Sequence, residues 1–258
     1  MAHVQPEKKV RNGTGGKFAG WADSLKTVIY AILIAVVVRA FAYEPFNIPS
    51  GSMIPTLLVG DYLFVSKLSY GYSRHSLPFG LPLISGRIFA SAPERGDVAV
   101  FKLPTDNKTD YIKRIIGLPG DRIQMRAGIL HINGTPVKRR RVADLIQRDP
   151  LGNAVAMARY VETLPNGRTH FIIEMSDSDH LDNTPVYLVP KGHYFAMGDN
   201  RDGSLDSRVL NHVGYIPAEN LVGRAEILFF STDGTARWWE FWKWPTATRF
   251  SRFFESVE

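Results

Sequence analysis

The chain has no cysteine in its 258 residues, and that absence removes a large part of the chemical menu. Disulfide cross-links, thiolate nucleophiles and cysteine-based metal sites are all excluded. It does not fix the compartment, because oxidising locations permit disulfides without requiring them. Histidine offers little more: the seven are dispersed, and no His-Glu-x-x-His helix is present. There is no Gly-x-Ser-x-Gly elbow and no Walker loop. A Ser-His-Asp triad is not removed by this, since its members need not be close in sequence, but nothing points to one. Amphipathic helical periodicity is missing after residue 43, so the remainder is expected to be mainly β. No second apolar run approaches the length of the one at residues 25–43.

What is present is the composition of a folded chain, 45% hydrophobic and long enough for one or two domains with a core. The formal charge of +6 suits either nucleic acid or an anionic membrane surface. Apart from Lys138-Arg139-Arg140-Arg141, however, the basic residues are scattered among acidic ones. Membrane association explains that pattern more simply, and no nucleic-acid partner is expected.

Residues 1–24 read as a polar, basic tail. Residues 25–43 follow as a transmembrane anchor whose apolar centre, 28–38, is lengthened by Lys26 and Arg39 snorkelling to the interfaces. Lys and Arg ahead of the span place the amino terminus in the cytoplasm and residues 44–258 on the exported side. Two other readings stay open: a buried soluble helix, and a secretory signal cut after Ala40-Phe41-Ala42. Beyond the anchor, strands are expected at 61–68, 97–103, 110–116, 122–125, 193–197 and 225–230, with an Asn133-Gly134 hairpin within 130–137. Residues 69–91 read as an ordered loop or flap. Residues 126–190 are irregular and charged, an inserted β-rich subdomain with short strands at 171–174 and 186–189. The aromatic tail, 237–254, suits a membrane interface or the closing of a β core.

Three stretches carry chemistry. Residues 47–57, Asn-Ile-Pro-Ser-Gly-Ser-Met-Ile-Pro-Thr-Leu, set two serines in a loop shaped by glycine and proline. Such a loop is either an ordinary polar turn or a mount for a nucleophile beside free N–H groups. In residues 110–116, Asp-Tyr-Ile-Lys-Arg-Ile-Ile, a strand's period of two puts Lys113 on one face with Tyr111 and Ile115. An ordinary lysine, with a pKa near ~10.4, has only about one molecule in 2,500 neutral at pH 7. Desolvation supplies far more neutral amine, while a lysine snorkelling at a sheet edge would need none. Residues 198–208, Gly-Asp-Asn-Arg-Asp-Gly-Ser-Leu-Asp-Ser-Arg, suggest a tightly hydrogen-bonded loop. A calcium loop of EF-hand type fails there, because Leu210 stands where the twelfth-position Glu belongs.

Together, and in this order behind an amino-terminal anchor, these stretches resemble bacterial type I signal peptidases, the serine–lysine leader peptidases. Arg95-Gly-Asp-Val98 and Gly117-Leu-Pro-Gly-Asp121 add to the likeness, which covers roughly residues 46–230. The resemblance implies Ser52 as nucleophile and Lys113 as general base. It gives Ser50 the oxyanion and Ser204 the orienting of the Lys113 amine. Arg114, Asp199, Asp206 and Arg208 would be structural ion pairs. Phe46, Ile48, Met53, Leu57, Tyr111 and Ile112 would line shallow pockets for a small-x-small cleavage sequence. It further implies preprotein signal peptides and membrane lipid as partners, no metal or cofactor, and a single-pass place in the bacterial inner membrane. Relatives in mitochondria and thylakoids share the Ser–Lys plan. A specialised processing peptidase of the same family is an alternative. A catalytically silent membrane-tethered β protein is another, and intact Ser52 and Lys113 speak against it.

Overall fold

The computed structural model describes residues 16–76, 84–148, 153–237 and 239–258. It divides into an amino-terminal unit ending at Arg39 and a second unit, Ala40–Glu258. The first carries helix α1 (Gly16–Phe41), on which the apolar side chains from Val28 to Val38 are exposed. Among the described residues no helix is long and apolar enough to cross a membrane. The span expected over 25–43 is therefore not shown, and most of the expected tail lies outside the described residues.

The second unit is mainly β, as the lack of helical periodicity implies. Its strands are β1 (Tyr43–Asn47), β2 (Asp61–Ser66), β3 (Tyr72–Ser73), β4 (Arg87–Ile88), β5 (Val98–Lys102) and β6 (Asp110–Gly117). Next come β7 (Arg122–Arg126), β8 (Ile129–Ile132), β9 (Thr135–Pro136), β10 (Lys138–Arg148), β11 (Ala154–Thr163) and β12 (Thr169–Glu174). The last are β13 (Tyr187–Leu188), β14 (His193–Met197), β15 (Ile216–Pro217) and β16 (Leu221–Ser231). A seven-stranded antiparallel sheet in the order β1-β2-β16-β5-β6-β14-β15 holds the middle of the unit. Both its faces are covered. Val98 and Val100 pack with Ile48, Met53, Leu57, Leu63 and Ile112, whereas Ala99 and Phe101 pack with Tyr111, Ile115 and Ala196. This is the strand alternation expected around Lys113.

Three local outcomes follow from residue chemistry. Asn133 and Gly134 take φ of 55° and 82°, the left-handed pair that a tight hairpin between β8 and β9 needs. β1, at a place where no strand was expected, forms the sheet edge, where Pro45 can lack a donor without breaking a ladder. The two longest strands of the inserted region, β10 and β11, were not expected at all. They form a three-stranded sheet with β12, and β11 buries so little that no period of two appears in its sequence. The expected flap at 69–91 contains the two-stranded β3–β4 sheet, and residues 77–83 lie outside the described residues.

The inserted sheet is tied to the third motif by a buried ion pair. Arg201, fully buried, donates to both oxygens of Glu162 on β11 at 3.0 and 2.5 Å. Beside it, the Arg201 N–H donates to the Ile173 carbonyl on β12 at 3.0 Å. Removing one partner leaves the other charged, desolvated and unpaired. Arg201→Met is therefore expected to cost about 3–5 kcal/mol, read as a fall in the urea midpoint. A loss under about 1 kcal/mol would show the pair to be dispensable.

Candidate active site

The serine stretch is held by its backbone before any side chain is considered. Ser50 is extended, with φ −129° and ψ 154°, and a single 3-10 turn, Gly51–Met53, follows it. The turn carries Ser52 inward, where it is 8% exposed, and buries Met53 completely. Ile48 anchors one end through its N–H to the Asp61 carbonyl at 2.8 Å. Asn200 anchors the other: its N–H donates to the Ser52 carbonyl and its Nδ2 to the Gly51 carbonyl, each at 3.1 Å. Gly198 permits this approach of two loops. A Cβ on it would lie 2.2 Å from Ser204 Oγ and 2.5 Å from the Ser52 carbonyl oxygen.

Lys113 lies on β6, paired across to Ala99 of β5, and is 3% exposed. Its Nζ is 2.7 Å from Ser52 Oγ and 2.8 Å from the Ile112 carbonyl oxygen, and 5.3 Å from the centre of the Tyr111 ring. Burial lowers its pKa from 10.5 to about 8, against the opposing fields of Asp206 and Asp199. Ser50 Oγ, on an exposed residue, is 3.4 Å from Ser52 Oγ. Ser52, Lys113 and Ser50 thus come together from two distant stretches.

The structural residues form two separate buried pairs. Arg114 grips Asp199 with two parallel bonds of 2.9 and 2.7 Å and also donates to the Gly96 carbonyl at 2.8 Å. Thr56, at the end of the serine stretch, donates to Asp199 at 2.6 Å, which fastens all three motifs to one carboxylate. Burial opposes ionisation of Asp199, and Arg114 overcomes it, so the net pKa is lowered. Asp206 behaves likewise through Arg208, which reaches it at 2.9 Å, and it also accepts the Gly198 N–H at 3.0 Å.

Two expectations need correction. Ser204 does not orient the Lys113 amine: the amine bonds to Ser52 and Ile112, whereas the Ser204 hydroxyl lies by Asp206 and helps to lower the pKa of that carboxyl. Ile48, Met53 and Leu57 do not line an open pocket, because they are 3%, 0% and 0% exposed and belong to the sheet core. Phe46, Tyr111 and Ile112 are half-buried and reachable. The sequence reading missed Thr56, Asn200, Glu162, Arg201 and His170. His170 lies 3.3 Å from Glu162 and 4.0 Å from Asp199, its pKa lowered by burial and by Arg114. Asn200 and Arg201 sit inside a stretch already singled out. Glu162 and His170 lie in the irregular region and gave no signal.

A family model described as "Signal peptidase, peptidase S26" matches residues 21–230. Signal peptidase I of Rickettsia typhi is 42% identical over 247 residues, covering 88% of this chain and 90% of the relative. Signal peptidase I of Rickettsia conorii is 44% identical over 219 residues, covering 82% and 79%. Among solved structures, a signal peptidase I from Enterococcus faecalis V583 matches at 26% identity with a TM-score of 0.29, over 52% of this chain and 97% of that one.

The buried amine makes a prediction about stability that is independent of any reaction. With a folded pKa of about 8 against 10.5, ionised Lys113 costs the fold about 3 kcal/mol at pH 7, partly offset by about 1 kcal/mol from its bond to Ser52. Between those two pKa values the unfolded chain binds more protons, so the wild type gains stability as pH rises. Lys113→Met should therefore be more stable than wild type by about 2 kcal/mol at pH 7, with the gain shrinking toward pH 10.5. Urea unfolding at both ends of that range checks it; a variant that is less stable at pH 7 contradicts it.

Proposed function

The chain belongs to the signal peptidase family, peptidase S26, and on that footing we propose that it is a membrane-anchored endopeptidase using Ser52 and Lys113 as a catalytic dyad. The observation that carries the proposal is the 2.7 Å contact between a serine hydroxyl and an amine desolvated enough to titrate at about 8. At that pKa about a tenth of the molecules hold a neutral amine at pH 7, against about one in 2,500 for an unperturbed lysine. In the neutral form the contact reverses, and the Ser52 hydroxyl donates to Nζ.

The reaction runs in four proton-balanced moves. Neutral Lys113 takes the Ser52 proton as Oγ attacks the scissile carbonyl. The oxyanion is held by Ser50 Oγ and by the Ser52 N–H, which at the start of a helical turn has no partner within the turn. The ammonium of Lys113 then protonates the leaving amine. Water then loses a proton to Lys113 as it attacks the acyl carbonyl, and the ammonium returns that proton to Ser52 Oγ as the acyl group leaves as the acid, which restores the neutral amine and the hydroxyl. Arg114–Asp199 and Asp206–Arg208 hold the loops in register and take no proton in this scheme. The substrate is the signal peptide of an exported preprotein, cut after a small-x-small sequence. Phe46, Tyr111 and Ile112, half-buried and reachable, contact it.

Membrane attachment belongs to the same proposal. Apolar side chains are exposed all along α1 from Val28 to Val38, which suits a lipid surrounding. Trp239, Phe241, Trp242, Trp244, Phe250 and Phe254 are likewise exposed near the carboxyl end, among Arg and Lys. That placement fits rings at headgroup depth, while Phe253 of the same tail packs on Phe230 of β16; Trp238 lies outside the described residues. The basic excess before the helix supports an orientation with the amino terminus in the cytoplasm and the β unit on the exported side.

Cleavage of a membrane-inserted preprotein tests the proposal. Ser52→Ala and Lys113→Ala should each lose activity by about 10⁴-fold or more, and Ser50→Ala by about 10²–10³ in kcat. For wild type, kcat/KM should rise with pH through a midpoint of about 8, as neutral Lys113 accumulates. Wild-type rates in the Ser52 or Lys113 variant would remove that residue from the mechanism. Failure on every preprotein tried would remove the substrate assignment.

A further inference from the structure

Away from Ser52, the molecule gathers negative charge where the end of β12, the segment after it and the 198–208 loop meet. One carboxylate oxygen from each of Glu174, Asp182 and Asp202 lies within 4.8 Å of the other two. Glu174 is 2% exposed, Asp182 is 0% exposed and Asp202 is half-buried. Carboxylates so close, and so far out of water, repel unless something positive or a proton sits among them.

The hydrogen bonds of the cluster leave two oxygens over. Glu174 Oε2 accepts from Arg139 Nη1 at 2.5 Å, and Asp182 Oδ2 accepts from the Asp179 N–H at 2.6 Å. Asp202 Oδ2 accepts from the N–H groups of Met175 and Ser176 at 2.6 and 3.0 Å. Glu174 Oε1 and Asp182 Oδ1 are buried with no partner. Orphaned buried oxygens are uncommon and costly, and two of them in one carboxylate cluster point to a ligand that is all positive charge. The neighbouring cations do not reach these two oxygens. Arg139 bonds Glu174 only through Oε2 and also binds Asp177 and the Gly128 carbonyl, Arg201 is gripped by Glu162, and Arg208 is gripped by Asp206, its Nη1 left without a partner.

We propose that Glu174, Asp182 and Asp202 form a binding site for a divalent cation, and that the cation is Ca²⁺. All three donors are hard oxygens, with no imidazole or thiolate among them, which disfavours zinc and copper. They come from separate stretches of chain, a geometry that suits the flexible oxygen shell of Ca²⁺ better than the strict octahedron of Mg²⁺. Their separation in sequence is also why a search for EF-hand spacing passes over them. The site links β12 of the inserted sheet to the loop that carries Asn200 and Ser204. Its consequence is a cation-dependent clamp on the scaffold behind the serine stretch.

The test uses the full-length chain in detergent, freed of metal with EGTA and titrated with CaCl₂ by calorimetry and by thermal unfolding. Wild type should bind a single Ca²⁺ saturably, with a rise in Tm that MgCl₂ reproduces only weakly. Glu174→Gln and Asp202→Asn should each bind Ca²⁺ at least tenfold more weakly; Asp202 is half-exposed, so its variant decides the matter if Glu174→Gln does not fold. Absence of saturable Ca²⁺ binding to wild type overturns the site, and so does an affinity unchanged in a folded Asp202→Asn.

Discussion

The desolvation of Lys113 is the constraint on which the rest of the site depends. An ammonium withdrawn from water seeks a carboxylate, and a carboxylate in contact would restore its ordinary pKa. Its donors instead meet Ser52 Oγ and the Ile112 carbonyl. Asp199 and Asp206 raise its pKa from a distance, but each is already neutralised by an arginine of its own, Arg114 and Arg208. The ion pairs around the site therefore do more than hold loops in place. They keep two buried carboxylates from claiming the lysine.

The same pairs explain how stretches far apart in sequence meet within hydrogen-bonding distance. Arg114 follows Lys113 on β6 and points away from it, so one strand delivers both the amine and the clamp. Thr56 and Asn200 then fasten the two ends of the serine turn to the 198–208 loop, and Gly198 lets the loops touch. Buried ion pairs are weak evidence of stability, because their desolvation can exceed their attraction. Their value here lies in geometry: bidentate contacts fix direction as well as distance.

Legibility in the sequence followed burial. Strands of the main sheet alternate or run apolar because both faces are covered, and those at 97–103, 110–116 and 193–197 were readable for that reason. β10 and β11 were not, since β11 is exposed or half-buried along nearly its whole length and has no period of two to display. The catalytic candidates were legible only through the family resemblance, since Ser-Gly-Ser between prolines reads equally as a polar turn and a lysine amid isoleucines as a snorkelling side chain. Glu162, His170 and Asp182 lay hidden, for a charged residue in a charged stretch looks the same whether it ends in solvent or in the core. The role expected of Ser204 failed on a finer point. Family likeness carries a residue to the right loop, but not to the last hydrogen bond.

The most direct measurement is the titration of the Lys113 amine itself, by NMR of selectively labelled lysine in the folded Ser52→Ala variant, with Lys113→Met to assign the signal. A midpoint well below the others, near 8, is what burial without a contacting carboxylate requires. A midpoint near 10.5, shared with the surface lysines, would mean that the amine stays charged at neutral pH and that Ser52 has no base there.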